Sequence, residues 1–238
     1  MQIFPNVFMV GGDDFSMSGT RWAHGDCCGY VIDTGRGLLL FDPGFDETLE
    51  EKLENFRTWG LDPDAVKFVF VTHGHLDHFT AARHFQRLGA TVVAGAFTAR
   101  LMENGNPPGE DLVAFWAYRE PAPTPAFVPC RADLVVPDGD AREYCGVTVR
   151  SIHTEGPGHH HALGPEGVSL FLAAFGGRNI LLSGDHLLFD RYGRISWPDP
   201  ADAPLFDSLK AHRIDAVLGG HGFVHWRPWP RRDAGIGD

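Results

Sequence analysis

Short runs of apolar residues, broken by glycine and polar turns, dominate the first third of the chain and predict strands over residues 7–10, 29–33 and 37–41. The turn Thr34-Gly35-Arg36-Gly37 joins the last two as a hairpin. Residues 47–59 have helical spacing, and Gly60 is placed to end that helix. A β-branched and aromatic run at 65–71 predicts another buried strand, followed by a helix at 80–88 stopped by Gly89 and a strand at 91–94. Strands are expected again at 147–152, 169–174 and 179–183, then a helix at 203–212 and a strand at 216–218. The second half thus repeats the architecture of the first, with no repeat in the sequence itself. Between the halves, residues 104–138 carry many of the prolines and the aromatic cluster Phe115, Trp116 and Tyr118. Such rings most often pack locally. The sharper expectation is a wall or lid that contacts an apolar part of a substrate.

With 238 residues and no Ser/Gly linker or charge block, the chain is expected to form one α/β domain spanning 1–238, with 104–138 as an insert. The formal charge of −11 opposes binding to phosphate backbones and anionic membranes, which leaves a small molecule as the expected partner and no nucleic acid or membrane. The first residues lack a basic segment followed by an apolar one, and no stretch approaches the ~20 apolar residues of a membrane span. A soluble, unprocessed protein is expected. Cys27, Cys28, Cys130 and Cys145 show no CxxC spacing and suit a reducing cytoplasm, as small buried hydrophobes. Oligomeric state leaves no signature here.

The run Thr72-His73-Gly74-His75-Leu76-Asp77-His78 changes the picture. Three imidazoles and a carboxylate, placed where a buried strand ends, are hard to explain except as metal ligands. Neutral nitrogen combined with hard oxygen suits zinc, iron or manganese better than calcium or magnesium. Three later segments repeat the same logic of a strand followed by a glycine-flanked candidate ligand: Gly156-Pro157-Gly158-His159, Ser183-Gly184-Asp185 and Gly219-Gly220-His221. Each glycine permits tight turning and close approach of backbone to a crowded site.

Together, and in this order, these segments resemble the metallo-β-lactamase fold superfamily, in its glyoxalase II-like branch of binuclear hydrolases. The resemblance spans nearly the whole chain, and the HxHxDH pattern at His73, His75, Asp77 and His78 is its most specific element. It implies a four-layer αββα sandwich with the site on the rim between two sheets. It further implies that His73, His75 and His159 hold one divalent ion, Asp77, His78 and His221 the other, and that Asp185 bridges both. Asp42, in an Asp-x-Gly pattern, would orient a ligand imidazole. The family's His-Thr-Pro-Gly-His segment is two residues longer here, as His153-Thr154-Glu155-Gly156-Pro157-Gly158-His159. His159 is preferred over His160 and His161 because it alone follows the Pro-Gly turn. His186, next to Asp185, is a further candidate for substrate contact.

The expected activity is hydrolysis of a small-molecule ester, thioester or lactone by a metal-bound hydroxide, with zinc the first choice of metal and iron or manganese the alternatives. A bridging carboxylate and a shared hydroxide are what hold two mutually repelling ions together, and the shared water's pKa falls toward about 7. Asp77 can receive or relay the proton as the intermediate collapses. β-Lactamases of this fold place cysteine or a non-ligand where this chain has Asp185, so antibiotic hydrolysis is disfavoured. The short stretch after His221 leaves no helical domain for glutathione, which speaks against that thioester. Two rivals remain: a mononuclear iron dioxygenase of the persulfide-oxidising kind, and a noncatalytic metal-binding protein.

Overall fold

A computed structural model of the chain describes residues 1–12, 26–105, 127–153, 168–185, 209–221 and 224–226. Seven strands form a first sheet in sequence order: β1 (Gln2–Phe4), β2 (Val7–Met9), β3 (Tyr30–Asp33), β4 (Leu38–Phe41), β5 (Val66–Val71), β6 (Thr91–Ala94) and β7 (Leu134–Val135). It is antiparallel from β1 to β4 and parallel from β4 to β7. The second sheet contains β8 (Ala141–Tyr144), β9 (Val147–His153), β10 (Ser169–Phe175), β11 (Arg178–Gly184), β12 (Ala216–Gly219) and β13 (His225–Trp226), in spatial order β13-β12-β11-β10-β9-β8. There β11 and β12 run parallel.

The central strands read as continuous apolar runs because both of their faces are covered. Leu39, Phe41, Phe70 and Val93 point between the sheets, where they meet Phe171, Ile180, Leu182 and Leu218. Leu38, Leu40, Val69, Val71 and Val92 point outward against α1 (Leu49–Thr58), α3 (Ala82–Arg87) and α4 (Ala96–Asn104), through Leu53, Phe56, Phe85 and Met102. The core between the sheets is aromatic at its centre. Phe41 stacks on Phe70 at 4.6 Å, and Tyr144 and Phe171 meet Phe70 edge-on at 5.0 and 5.2 Å. Rings buried this fully contribute about 1.5–3 kcal/mol each. On the far side, Ile152, Leu170, Leu172, Leu181 and Val217 pack with Leu209 and Ile214. Leu209 and Lys210 are helical, and the rest of the helix expected there falls largely outside the described residues. Helices thus cover one outer face of the two packed sheets and the helical residues Leu209 and Lys210 lie on the other, in keeping with the α/β sandwich expected from the sequence.

Several elements differ from the sequence reading. The short helix α2 (Leu76–Phe79) lies inside the histidine motif, and α4 occupies a stretch not read as helix. The 104–138 stretch is not irregular throughout: Asn104 ends α4, and Leu134–Val135 joins the first sheet beside β6. A two-residue strand is too short to show alternation. Nearby, the Gln86 side chain donates to the Arg131 carbonyl and to Asp133, both at 2.8 Å, pinning the end of the insert to α3. No helix among the described residues is long and apolar enough to cross a membrane.

Topology gathers the candidate residues at one rim. The carboxyl ends of parallel strands β4, β5, β11 and β12 lead directly into Asp42, the Thr72–His78 loop, Asp185 and Gly220-His221. Open α/β sheets place their sites at such ends.

Candidate metal centre

Asp42 has φ +48°, a left-handed backbone that a non-glycine residue adopts at a cost of about 1–2 kcal/mol. The carboxylate so aimed is heavily used. Its Oδ1 accepts from the Thr72 backbone N–H at 2.8 Å, and its Oδ2 accepts from the Thr72 hydroxyl at 2.7 Å and from His78 Nδ1 at 2.9 Å. Thr72 has one hydroxyl proton, and Asp42 takes it. The contact of 2.9 Å between Thr72 Oγ1 and His73 Nδ1 must therefore be donated by the ring. One carboxylate thus fixes two tautomers, His78 directly and His73 through a hydroxyl. Both rings are left with Nε2 facing inward.

Those nitrogens converge with the remaining candidates. His73 Nε2 and His75 Nδ1 are 2.8 Å apart. Asp185 Oδ2 faces this pair, at 3.6 Å from His73 and 3.8 Å from His75. Its Oδ1 faces the other way, at 3.3 Å from His78 Nε2 and 3.5 Å from His221 Nε2. Asp77 Oδ2 completes that second group, at 3.1 Å from His221 Nε2 and 3.5 Å from His78 Nε2. Gly220 makes this closeness possible: a Cβ there would collide with Asp185 Oδ1 and come within 2.6 Å of the His78 ring.

Charge divides the cluster. Burial, with His78 adding to it, lowers His73, and burial with His73 lowers His75 to about 4. Burial opposes the charged form of His78 as well, yet Asp185, Asp77 and Asp42 outweigh it and raise that ring well above its usual range. Burial also opposes the charge on Asp77 and Asp185. For Asp77, His78 and the hydrogen bond from His221 prevail and lower it to about 2; for Asp185, His221 and His78 hold it well below the usual carboxylate range.

The residues present fit divalent metal. Two sets, His73/His78/Asp185 and Asp77/His78/His221, each bring their ligand atoms within 4.8 Å of one another. His78 Nε2 is buried without a hydrogen-bond partner among the described residues. Three buried carboxylates around a few imidazoles need compensating positive charge, and mixed nitrogen and oxygen donors suit zinc-like ions.

Of the residues expected from the sequence, His73, His75, Asp77, His78, Asp185, His221 and Asp42 come together here. His159, with His160 and His161, lies outside the described residues, as do His186, Phe115, Trp116 and Tyr118. The sequence alone gives Thr72 no role, and its place beside the first histidine is the one signal of it.

The family model for the metallo-beta-lactamase superfamily matches residues 25–221. Among solved structures, a HARLDQ-motif mutant of a metallo-β-lactamase from Cronobacter sakazakii is similar with a TM-score of 0.67 and 21% identity, over 93% of this chain and 79% of that one. A subclass B3 metallo-β-lactamase of Bradyrhizobium japonicum gives 0.63 and 25%, over 93% and 76%. A class B3 di-zinc metallo-β-lactamase from an Alaskan soil metagenome gives 0.64 and 19%, over 93% and 77%. The matched span takes in every described ligand candidate, from the His73–His78 motif to His221, and on that ground the chain belongs to the metallo-β-lactamase superfamily.

Proposed function

We propose that the protein is a binuclear metal-dependent hydrolase of the glyoxalase II-like kind, cleaving a small-molecule ester, thioester or lactone. His73, His75 and His159 would hold one divalent ion, Asp77, His78 and His221 the other, with Asp185 between them. The observation that carries this reading is the division of Asp185, whose two oxygens face two different pairs of imidazoles. That division also favours two ions over the single iron of a dioxygenase. The solved neighbours bear the names of metallo-β-lactamases, one of them di-zinc, which supports zinc as the metal.

When bound, two such ions supply a nucleophilic hydroxide at neutral pH and polarise a carbonyl. The chain's own residues do the rest. Asp42 and Thr72 keep His78 and His73 in the tautomers that present Nε2. Asp77 accepts or relays the proton that must reach the leaving group. No serine or cysteine nucleophile is required on this reading. The four cysteines are free thiols, which fits a reducing cytoplasm.

The test is metal analysis of the purified chain together with a panel of lactones, thioesters, simple esters, phosphodiesters and a β-lactam. Two ions per chain and turnover confined to carboxylic esters, thioesters or lactones is the expected result. One iron per chain with oxygen uptake, or turnover of the phosphodiester or β-lactam alone, would overturn it.

A further inference from the structure

Away from the metal ligands, a lysine and an aspartate are buried together. Lys52 on α1 is 3% exposed and Asp26 is 2% exposed, and their charged ends meet in an ion pair. A lysine on an amphipathic helix normally points to water, and burying its charge is costly unless it is matched closely. The match here is close. Asp26 Oδ1 accepts from the backbone N–H groups of Cys27 at 2.9 Å and Phe45 at 3.0 Å. Its Oδ2 accepts from Lys52 and from the Thr48 hydroxyl at 2.5 Å, while Thr48 accepts in turn from Lys52. Lys52 also reaches the Phe45 carbonyl at 3.4 Å. Gly44, at φ +80°, is held against both charged ends, and a Cβ there would collide with them.

The pair clamps two segments, and both lead most directly to the same half of the candidate centre. The first runs from Asp42 to Thr48. It carries the Asp42 carboxylate on His78, and Gly44 brackets α2 by donating to the His78 carbonyl at 3.3 Å and accepting from Ala81 at 2.9 Å. Asp46 N–H adds a bond to Thr80 Oγ1 at 3.0 Å. Both Asp77 and His78 stand on α2. The second segment starts at Asp26. There Cys28 N–H donates to the Gly220 carbonyl at 2.6 Å and Tyr30 Oη donates to the Gly219 carbonyl at 2.8 Å, which sets the backbone entering His221. The first half is tied to these segments only indirectly: His73 and His75 follow β5, and Thr72, which links His73 to Asp42, is also anchored to β10 through Ser169 N–H at 2.8 Å.

We infer that the buried Asp26–Lys52 pair is a positioning device for the Asp77/His78/His221 half of the centre, setting the affinity for the second ion far more than that for the first. This rests on the binuclear reading above. The pair touches no ligand, so its effect passes through the two segments it joins.

The experiment is titration of metal-free protein with Co(II) and with Zn(II), following visible absorption and calorimetry, for wild type, Lys52→Met and Thr48→Val. In Lys52→Met the second equivalent should bind about tenfold or more weakly, the range for disturbing the support of a ligand shell. Its Co(II) absorption should change, and the first equivalent should weaken by a much smaller factor than the second. Thr48→Val keeps both charges and loses only the hydroxyl that links them. It should shift the second equivalent in the same direction by a smaller factor, and it carries the test if Lys52→Met fails to fold. Equal weakening of both equivalents, or wild-type binding of both whatever happens to the melting temperature, would assign the pair to general stability and defeat the inference. A wild-type chain that takes up only one ion would defeat the binuclear reading itself, and with it any second subsite to position.

Discussion

The two halves of the centre share Asp185 yet are built differently. The half around His73 and His75 consists of neutral rings: burial holds both below their ordinary range, so each ring keeps one nitrogen free of a proton at neutral pH. The half around His78 is charged, with a raised imidazole among Asp42, Asp77 and Asp185. A cation can join the first half without displacing a proton, whereas at His78 it must take the place of one. The supports differ as well. His78 rests directly on a carboxylate that is itself locked by an unusual backbone, while His73 reaches the same carboxylate only through the Thr72 hydroxyl. Ease of loading and strength of support therefore sit on opposite sides of one shared aspartate.

Removing that shared group should have the largest effect. Asp185→Asn keeps the shape but places an amide where one of two oppositely aimed oxygens stood. The second ion should bind poorly and turnover should fall by about two orders of magnitude or more, because a metal's Lewis acidity is worth several kcal/mol. Circular dichroism should remain that of wild type. A variant with two bound ions and full activity would remove Asp185 from its place between the halves.

His159, proposed as the third ligand of the first half, lies outside the described residues, and substitution tests it. His159→Ala should weaken metal binding by about 10- to 100-fold or more, whereas His161→Ala should leave metal content unchanged. If His160→Ala or His161→Ala strips the metal and His159→Ala does not, the lengthened segment after His153 has moved the ligand.

The same contrast explains what the sequence reveals and what it conceals. Strands buried on both faces, such as Val66–Val71 and Arg178–Gly184, are legible because apolar residues continue through both side-chain phases. Edge strands of two to four residues, such as Leu134–Val135 and Ala141–Tyr144, offer too few positions for any period to appear. α4 starts at Gly95 with no side-chain cap, so it lacks the start signal that marks most helices. His73 to His78 are legible because they are neighbours in sequence. Thr72 and Asp42 act as a unit across thirty positions, and Asp26 and Lys52 across twenty-six, so a hydroxyl and a lysine that look ordinary acquire roles only once the fold joins them.

Acid and base should act on the halves in opposite directions in metal-free protein. His75 sits at about 4 in the fold against 6.5 unfolded, so between those values the unfolded chain binds more protons. Stability from the first half should be lost as pH falls from about 6.5 toward 4, and His73 adds in the same sense. His78 lies well above 6.5 in the fold, so its contribution is whole below that pH and is lost as the pH rises through its folded value. Asp77, at about 2 against 3.8, adds a further loss only at lower pH. Urea midpoints of chelator-treated protein across this range should decline at both ends. A midpoint that stays flat from pH 6.5 to 4 would mean that His75 is open to protons and that the neutral character of the first half is wrong.

The smallest effect separates the two supports most finely. Thr72→Val matches the side chain in shape, deletes the hydroxyl and keeps the backbone N–H on Asp42 Oδ1. Asp42 Oδ2 loses one donor but retains His78 Nδ1, so the second half should be little changed. His73 Nδ1 loses its acceptor in a fully buried position, an unmet hydrogen bond worth about 1–3 kcal/mol. The ring can then shift its proton to Nε2, the atom that should face the metal. Affinity for the first ion should fall several-fold while the second is retained, and the nitrogen resonances of His73 should report the altered tautomer. Asp42→Asn should instead weaken both ions, because it turns an acceptor shared by His78 and Thr72 into a group that donates on one side. If Thr72→Val and Asp42→Asn gave the same pattern, the hydroxyl would not be a separate support, and both halves would rest on Asp42 alone.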